Sequence, residues 1–216
     1  FAAGGAPALP MALSGSLKAA SVRHPYFDGK NMDVTWKVTG VTPGLERLNG
    51  SARLRHGSGE FRNVQKLSAE SRAAKIFFLP LTLVQKLDRA SGGVLNLPPM
   101  DVVPFSSIAG DYAFKDGVMT VTSFLLDGKA FDAALTGTIG LAGDQPVRAR
   151  ATLTLPPGAI RGTIGELLGD AAGQTAVAFN IGGTVAAPEA KPDLKDASKQ
   201  LEEKVGNLLK GLLKAR

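Results

Sequence analysis

The segment Phe131-Asp-Ala-Ala-Leu-Thr-Gly-Thr-Ile-Gly-Leu-Ala-Gly-Asp-Gln-Pro-Val-Arg-Ala-Arg-Ala-Thr-Leu-Thr-Leu155 contains two runs with a period of two. In the second run Val147, Ala149, Ala151, Leu153 and Leu155 point one way, while Arg148, Arg150, Thr152 and Thr154 point the other. Successive side chains of a strand alternate between faces, so this run is a half-buried strand. The first run repeats the arrangement, with Phe131, Ala133, Leu135, Gly137, Ile139 and Leu141 against Asp132, Thr136 and Thr138. Gly143-Asp144 between the runs suits a turn, which predicts an antiparallel pair.

Working outward, the same alternation recurs at 32–41, where Met32, Val34, Trp36 and Val38 face inward and Asp33, Thr35, Lys37 and Thr39 outward. Further strands are expected at 13–19, 52–56, 112–114, 118–126 and 176–185. Asp28-Gly29, Asn49-Gly50, Asp116-Gly117 and Asp127-Gly128 read as tight hairpin turns, because such pairs tolerate φ > 0. Together these signals predict an antiparallel meander of roughly eight to ten strands. The alternation stops between 63 and 92, where Leu81, Val84 and Leu87 recur at helical spacing after Pro80. One or two short helices are expected there, with Pro80 in a first turn; a weaker helical pattern covers 164–168. After Pro188 and Pro192, a stripe through Leu194, Ala197, Leu201, Val205, Leu208, Leu212 and Leu213 predicts an amphipathic helix whose last part is basic.

Composition sets the outer bounds. A chain of 216 residues is long enough to bury a core. With 44% apolar residues and 20% charged, it is not a disordered polyelectrolyte, despite a net charge of +6 and a pI near 9.7. The absence of cysteine removes disulfides, thiolate metal sites and thiol nucleophiles. No apolar run reaches the length of a membrane-spanning helix, the stretch around 76–83 being broken by Pro80. The chain opens on Phe1 with no charged leader region, which reads as a processed piece whose leader or anchor lies outside it.

Catalytic signals are weak. The two histidines, His24 and His56, lie beside Pro25 and in an expected strand, away from any acidic cluster, so no acid-base pair forms and a non-enzymatic role is expected. Asp116, Asp127, Asp132 and Asp144 fall at turns or on outward faces, without metal-ligand spacing. The glycines of 137–143 are not followed by a helix start or a Lys-Ser/Thr pair, so a strand and turn explain them better than a phosphate loop. Basic charge alone does not make a nucleic-acid surface: Trp36 is unique, Tyr numbers two and the arginines are scattered. No cofactor, metal or nucleic-acid partner is expected.

The sheet is the more informative feature. About ten strands of about eight residues would present roughly forty side chains on the apolar face, more than the expected helices can cover. That face either closes on itself as a sandwich or small barrel, or forms a groove filled by an apolar ligand. Small inward residues, Ala133, Gly137, Ala149 and Ala151, leave volume and tilt toward the ligand. For the terminal helix three roles remain open: packing on the sheet, lying on an anionic membrane, or docking in a partner groove.

Four elements in order resemble the C-terminal region of AsmA-like proteins, relatives of the bridge-like lipid-transfer proteins of Gram-negative envelopes. They are Gly59-Glu-Phe-Arg-Asn-Val64; Phe105-Ser-Ser-Ile-Ala-Gly-Asp-Tyr-Ala-Phe-Lys-Asp-Gly-Val118; Leu125-Leu-Asp-Gly-Lys-Ala-Phe131 running into Leu135-Thr-Gly-Thr-Ile-Gly-Leu141; and Phe179-Asn-Ile-Gly-Gly-Thr184 with Pro188 and Pro192-Asp193. The resemblance covers residues 11–193. It implies a mainly β protein: a curved antiparallel meander forming an open β-groove, with short inserted helices and a C-terminal amphipathic helix. It implies a flexible segment at 1–10, a groove domain at 11–187 with its helical insertion at 64–91, and a Pro-containing linker and basic helix at 188–216. It further implies phospholipid as partner and a periplasmic place within an inner-membrane-anchored protein, with no catalytic residues. On that basis Val34, Trp36, Val38, Phe131, Ala133, Leu135, Ile139, Ala149, Ala151, Leu153, Val177, Phe179 and Ile181 would line the groove. Leu208, Leu209, Leu212, Leu213, Lys210 and Lys214 would touch a membrane or an envelope partner. The alternative is an assembly or scaffold domain with a self-packed β core, whose terminal helix binds a partner protein or a membrane surface.

Overall fold

Strand-forming alternation dominates a computed structural model, which describes residues 10–90, 102–159 and 174–193. Chain order runs β1 (Met11–His24), β2 (Phe27–Val41), β3 (Asn49–His56), β4 (Gly59–Arg62), α1 (Val64–Glu70), α2 (Arg72–Ala90), β5 (Val102–Lys115), β6 (Val118–Gly128), β7 (Asp132–Gly140), β8 (Val147–Leu155), β9 (Thr175–Gly183) and β10 (Pro188–Pro192). All ten strands belong to one sheet ordered β1-β2-β3-β5-β6-β7-β8-β9-β10, with β4 pairing β2 and β5 beside this path. Every pairing is antiparallel. The protein is therefore a mainly antiparallel β protein with two helices.

The β7–β8 pair sits as its alternation dictates. Val147, Ala149, Ala151, Leu153 and Leu155 are buried, and Leu135 lies opposite Ala151, Ile139 opposite Val147. The turn signals fare differently. Only Asp116-Gly117, both at positive φ (48° and 72°), forms a two-residue hairpin. Asp28-Gly29 lies inside β2, Asn49-Gly50 opens β3, and Asp127-Gly128 closes β6. The β1–β2 hairpin turns instead at Pro25-Tyr26. A further correction concerns residues after 187: the expected linker begins with β10, whose Ala190 pairs with Ile181 of β9.

Both helices lie on the face that carries these buried residues. Asn63 starts α1 by accepting the Lys66 N–H (3.2 Å). Ser71 joins the helices: its N–H donates to the Leu67 carbonyl (2.8 Å) while its hydroxyl accepts from the Ala74 N–H (3.3 Å). Pro80 stands inside α2, not in a first turn. An interior proline costs about 3 kcal/mol of helix stability, but Pro80 is among the most completely buried residues of the protein. Tertiary packing outweighs the local signal. Phe78, Leu81 and Val84 enter one buried cluster with Phe105, Leu126, Phe131, Leu153 and Phe179. Ile76 enters a second with Leu135, Ile139, Val147, Ala149, Ala151 and Ile181. The helix pattern expected at 164–168 and the terminal helix lie outside the described residues.

Candidate functional site

Between α1–α2 and the sheet a cleft of about 380 Å³ remains open to solvent. Its wall is built on a run of aromatic rings contributed by distant segments. Phe27 of β2 meets Phe61 of β4 (5.2 Å between centroids), Phe61 meets Phe78 (5.1 Å), Phe78 meets Phe77 (4.8 Å), and Phe77 meets Phe124 of β6 (4.8 Å). Leu67, Ala73, Ala74, Ile76, Met119, Val121, Leu135 and Ile139 complete the apolar lining. The only polar side chains on it are Ser71 and Tyr112. Ser71 already accepts the Ala74 N–H, so it offers little to a polar ligand. Tyr112 is half-buried, and burial pushes its phenol above the usual range. Its hydroxyl lies over Gly110, where even a β-carbon would come within 2.3 Å of it.

Size does not single out this cleft, because depressions of about 410 and 500 Å³ also exist. Chemistry does: the first of those carries Asp28, Lys30, Glu60, Arg62 and Lys129, and the second sets Lys37, Arg53 and Asp111 beside Trp36, Ala52 and Tyr112, whereas the cleft has no charged side chain. On the sheet face opposite Tyr112, Asp111 pairs with Arg55 (2.8 Å) and Arg53 (2.9 Å). Hydrogen bonds from Arg55 and then Arg53 hold its carboxyl below the usual carboxylate range. This exposed ladder ties β3 to β5 and adds only marginally to stability.

Of the residues expected to line a groove, Leu135 and Ile139 reach the cleft. Phe131, Ala133, Ala149, Ala151, Leu153, Phe179 and Ile181 are buried in the two clusters, and Val177 packs against one. Ala149 and Ala151 share their buried cluster with Ile76 of α2, and Leu79 packs against it, so the helix covers these small strand residues. Val34, Trp36 and Val38 form a half-buried patch on β2, beside the exposed Leu13 and Leu17 of β1. One cross-strand row joins this patch to the cleft: Gly15, Trp36, Ala52, Tyr112 and Val121 are successive partners from β1 to β6. The tail residues Leu208, Leu209, Leu212, Leu213, Lys210 and Lys214 lie outside the described residues.

Among the described residues neither histidine lines the cleft. His56 is buried, with Nδ1 3.0 Å from the Gly57 carbonyl and its ring edge-on to Phe27 and Phe105. That contact makes Nδ1 the donor and leaves Nε2 without a hydrogen-bond partner among the described residues. The Nδ1 of His24 accepts the Tyr26 N–H at 3.3 Å. Among the described residues no three His, Asp or Glu side chains gather to hold a metal ion, and no helix is long and apolar enough to cross a membrane. No family model, curated protein or solved structure matches this chain.

Proposed function

We propose that this protein binds the acyl chains of phospholipid without catalysis. The single observation carrying this reading is the cleft under α1 and α2: about 380 Å³, lined by five of the chain's ten phenylalanines, with no charged side chain. A ligand held there gains by removing hydrocarbon from water, about 0.8 kcal/mol per methylene, and needs no specific polar recognition. The row through Tyr112, Ala52 and Trp36 extends the apolar surface beyond the cleft, so an acyl chain longer than the cleft would lie along β3 and β2 as an open β-groove. The ordered motifs that resemble AsmA-like proteins support phospholipid as the class of cargo. On this reading the module works in the periplasm, within an inner-membrane-anchored protein that moves lipid between membranes.

Protein purified without detergent should release phospholipid into organic solvent, identified by mass spectrometry. Ala74, half-buried on α2 and lining the cleft, is the position at which to block it. Ala74→Trp should abolish the bound lipid while leaving circular dichroism unchanged; clean spectra from the parent protein, or equal lipid in the variant, would sink the reading. The second reading, a self-packed scaffold, draws on the two buried clusters that α2 forms with β5 to β9. There the tail would bind a partner, and Leu208→Asp with Leu212→Asp should eliminate that binding while lipid content stays constant. Loss of lipid with the partner retained would reject it.

A further inference from the structure

Among the described residues the sheet has two edges, β1 and β10, and they are protected very differently. The β10 edge is five residues long and begins and ends in proline, which cannot donate to a ladder, so this edge is closed to further strands. β1 spans fourteen residues without a proline. Its register irregularity lies at its start, between Met11 and Leu13, and from Leu13 to His24 it presents an extended backbone edge. Its Lys18 pairs with Asp33 of β2 (3.4 Å). On the helix-bearing face β1 exposes Leu13 (46%) and Leu17 (50%), flanking Gly15, over which the Trp36 ring lies.

We infer that two copies of this chain pair edge to edge through β1, antiparallel about a twofold axis at Gly15, giving one continuous sheet. The sequence of β1 is complementary to itself in that register. Leu13 falls opposite Leu17 of the second copy and Leu17 opposite its Leu13, while Ser14 meets Ser16 and Lys18 meets Ala12, so no like charges face one another. Antiparallel pairing about a residue keeps odd positions opposite odd positions, so the apolar faces of both copies join without a break. Gly15 opposite Gly15 leaves the axis free of side chains, with the two Trp36 rings on either side. Because β10 cannot accept a strand, the pairing closes as a symmetric dimer and does not propagate as a filament. This inference goes beyond lipid binding and stands whether or not the cleft is filled.

Sedimentation of the full 216-residue chain over a wide concentration range should show a species of about twice 22.4 kDa. Leu17→Lys should return it to the monomer and melt where the parent protein melts once diluted to monomer, since Leu17 is half exposed within one copy. Register is read independently, because the protein has no cysteine of its own. An oxidised mixture of Ser14→Cys and Ser16→Cys chains should cross-link efficiently, whereas Ser21→Cys mixed with either should not. A monomer at every concentration overturns the inference, including one whose Trp36 is shielded from quencher by the chain's own ends. So does a dimer that Leu17→Lys leaves intact or that cross-links equally at all three positions.

Discussion

Phe78→Ala should cost the protein about 3–5 kcal/mol, which for a chain of this size lowers the melting temperature by roughly 6–20 °C. Phe78 is 2% exposed, its ring lies against Phe61 and Phe77, and it belongs to the larger buried cluster with Phe105, Leu126, Phe131 and Phe179. It also fastens α2. With Pro80 interrupting its hydrogen bonds, this helix draws little from intrinsic propensity and depends on Phe78, Leu81 and Val84 being buried together. Removing the ring therefore leaves a cavity and loosens the helix that packs on both buried clusters. Calorimetry on both proteins measures the shift, and a change below about 2 °C would show that α2 is held from elsewhere. Because Phe78 also lines the cleft, apolar ligand that fills the vacated space should restore part of the lost melting temperature.

What the sequence disclosed follows from where its signals are local. Residues 131–155 were readable because burial on one face writes itself directly into alternation. The extent of β5 was not: Val102–Lys115 carries irregularities between Phe105 and Ser107 and between Asp111 and Tyr112. The first places an extra residue, Ser106, in β5 and moves the inward set from odd positions (103, 105) to even ones (108, 110, 112), which breaks the alternation over the strand as a whole; the second places its extra residue, Thr122, in β6. Seen from β7, the same irregularity lies between Val121 and Phe124, and it shifts the period of β6. Pro80 reads locally as a first-turn residue, and long-range packing carries the helix through it instead. The cleft had no local signature at all, since Phe27, Phe61, Phe77 and Phe124 become neighbours only when β2, β4, α2 and β6 are assembled. Ala149 and Ala151 were visible as small inward residues, but a small residue creates either room for a ligand or room for a helix. The choice depends on Ile76 and Leu79, more than sixty residues away in sequence.

That same docking surface contains a demanding glycine, Gly137. Its φ is 140°, and a β-carbon there would lie 2.3 Å from the Arg148 carbonyl oxygen and 2.4 Å from the Ala149 Cα. Both obstacles are backbone of the neighbouring strand, so no side-chain rotation relieves them. Gly137→Ala should cost about 1–3 kcal/mol for the disfavoured backbone conformation and about as much again for overpacking. Gly143→Ala provides the comparison, because Gly143 also has positive φ (58°) but nothing within 4 Å of its would-be β-carbon; it should cost only about 1–2 kcal/mol. Chemical denaturation of the two variants separates conformation from contact, and equal losses would refute the steric account. The consequence reaches α2 as well. Gly137 pairs with Val121 on one side and Ala149 on the other, and both pack with Ile76. Forcing β7 away from β8 would shift the surface on which Ile76 sits, so the Gly137 variant alone should also alter the cleft and lower whatever apolar ligand it holds.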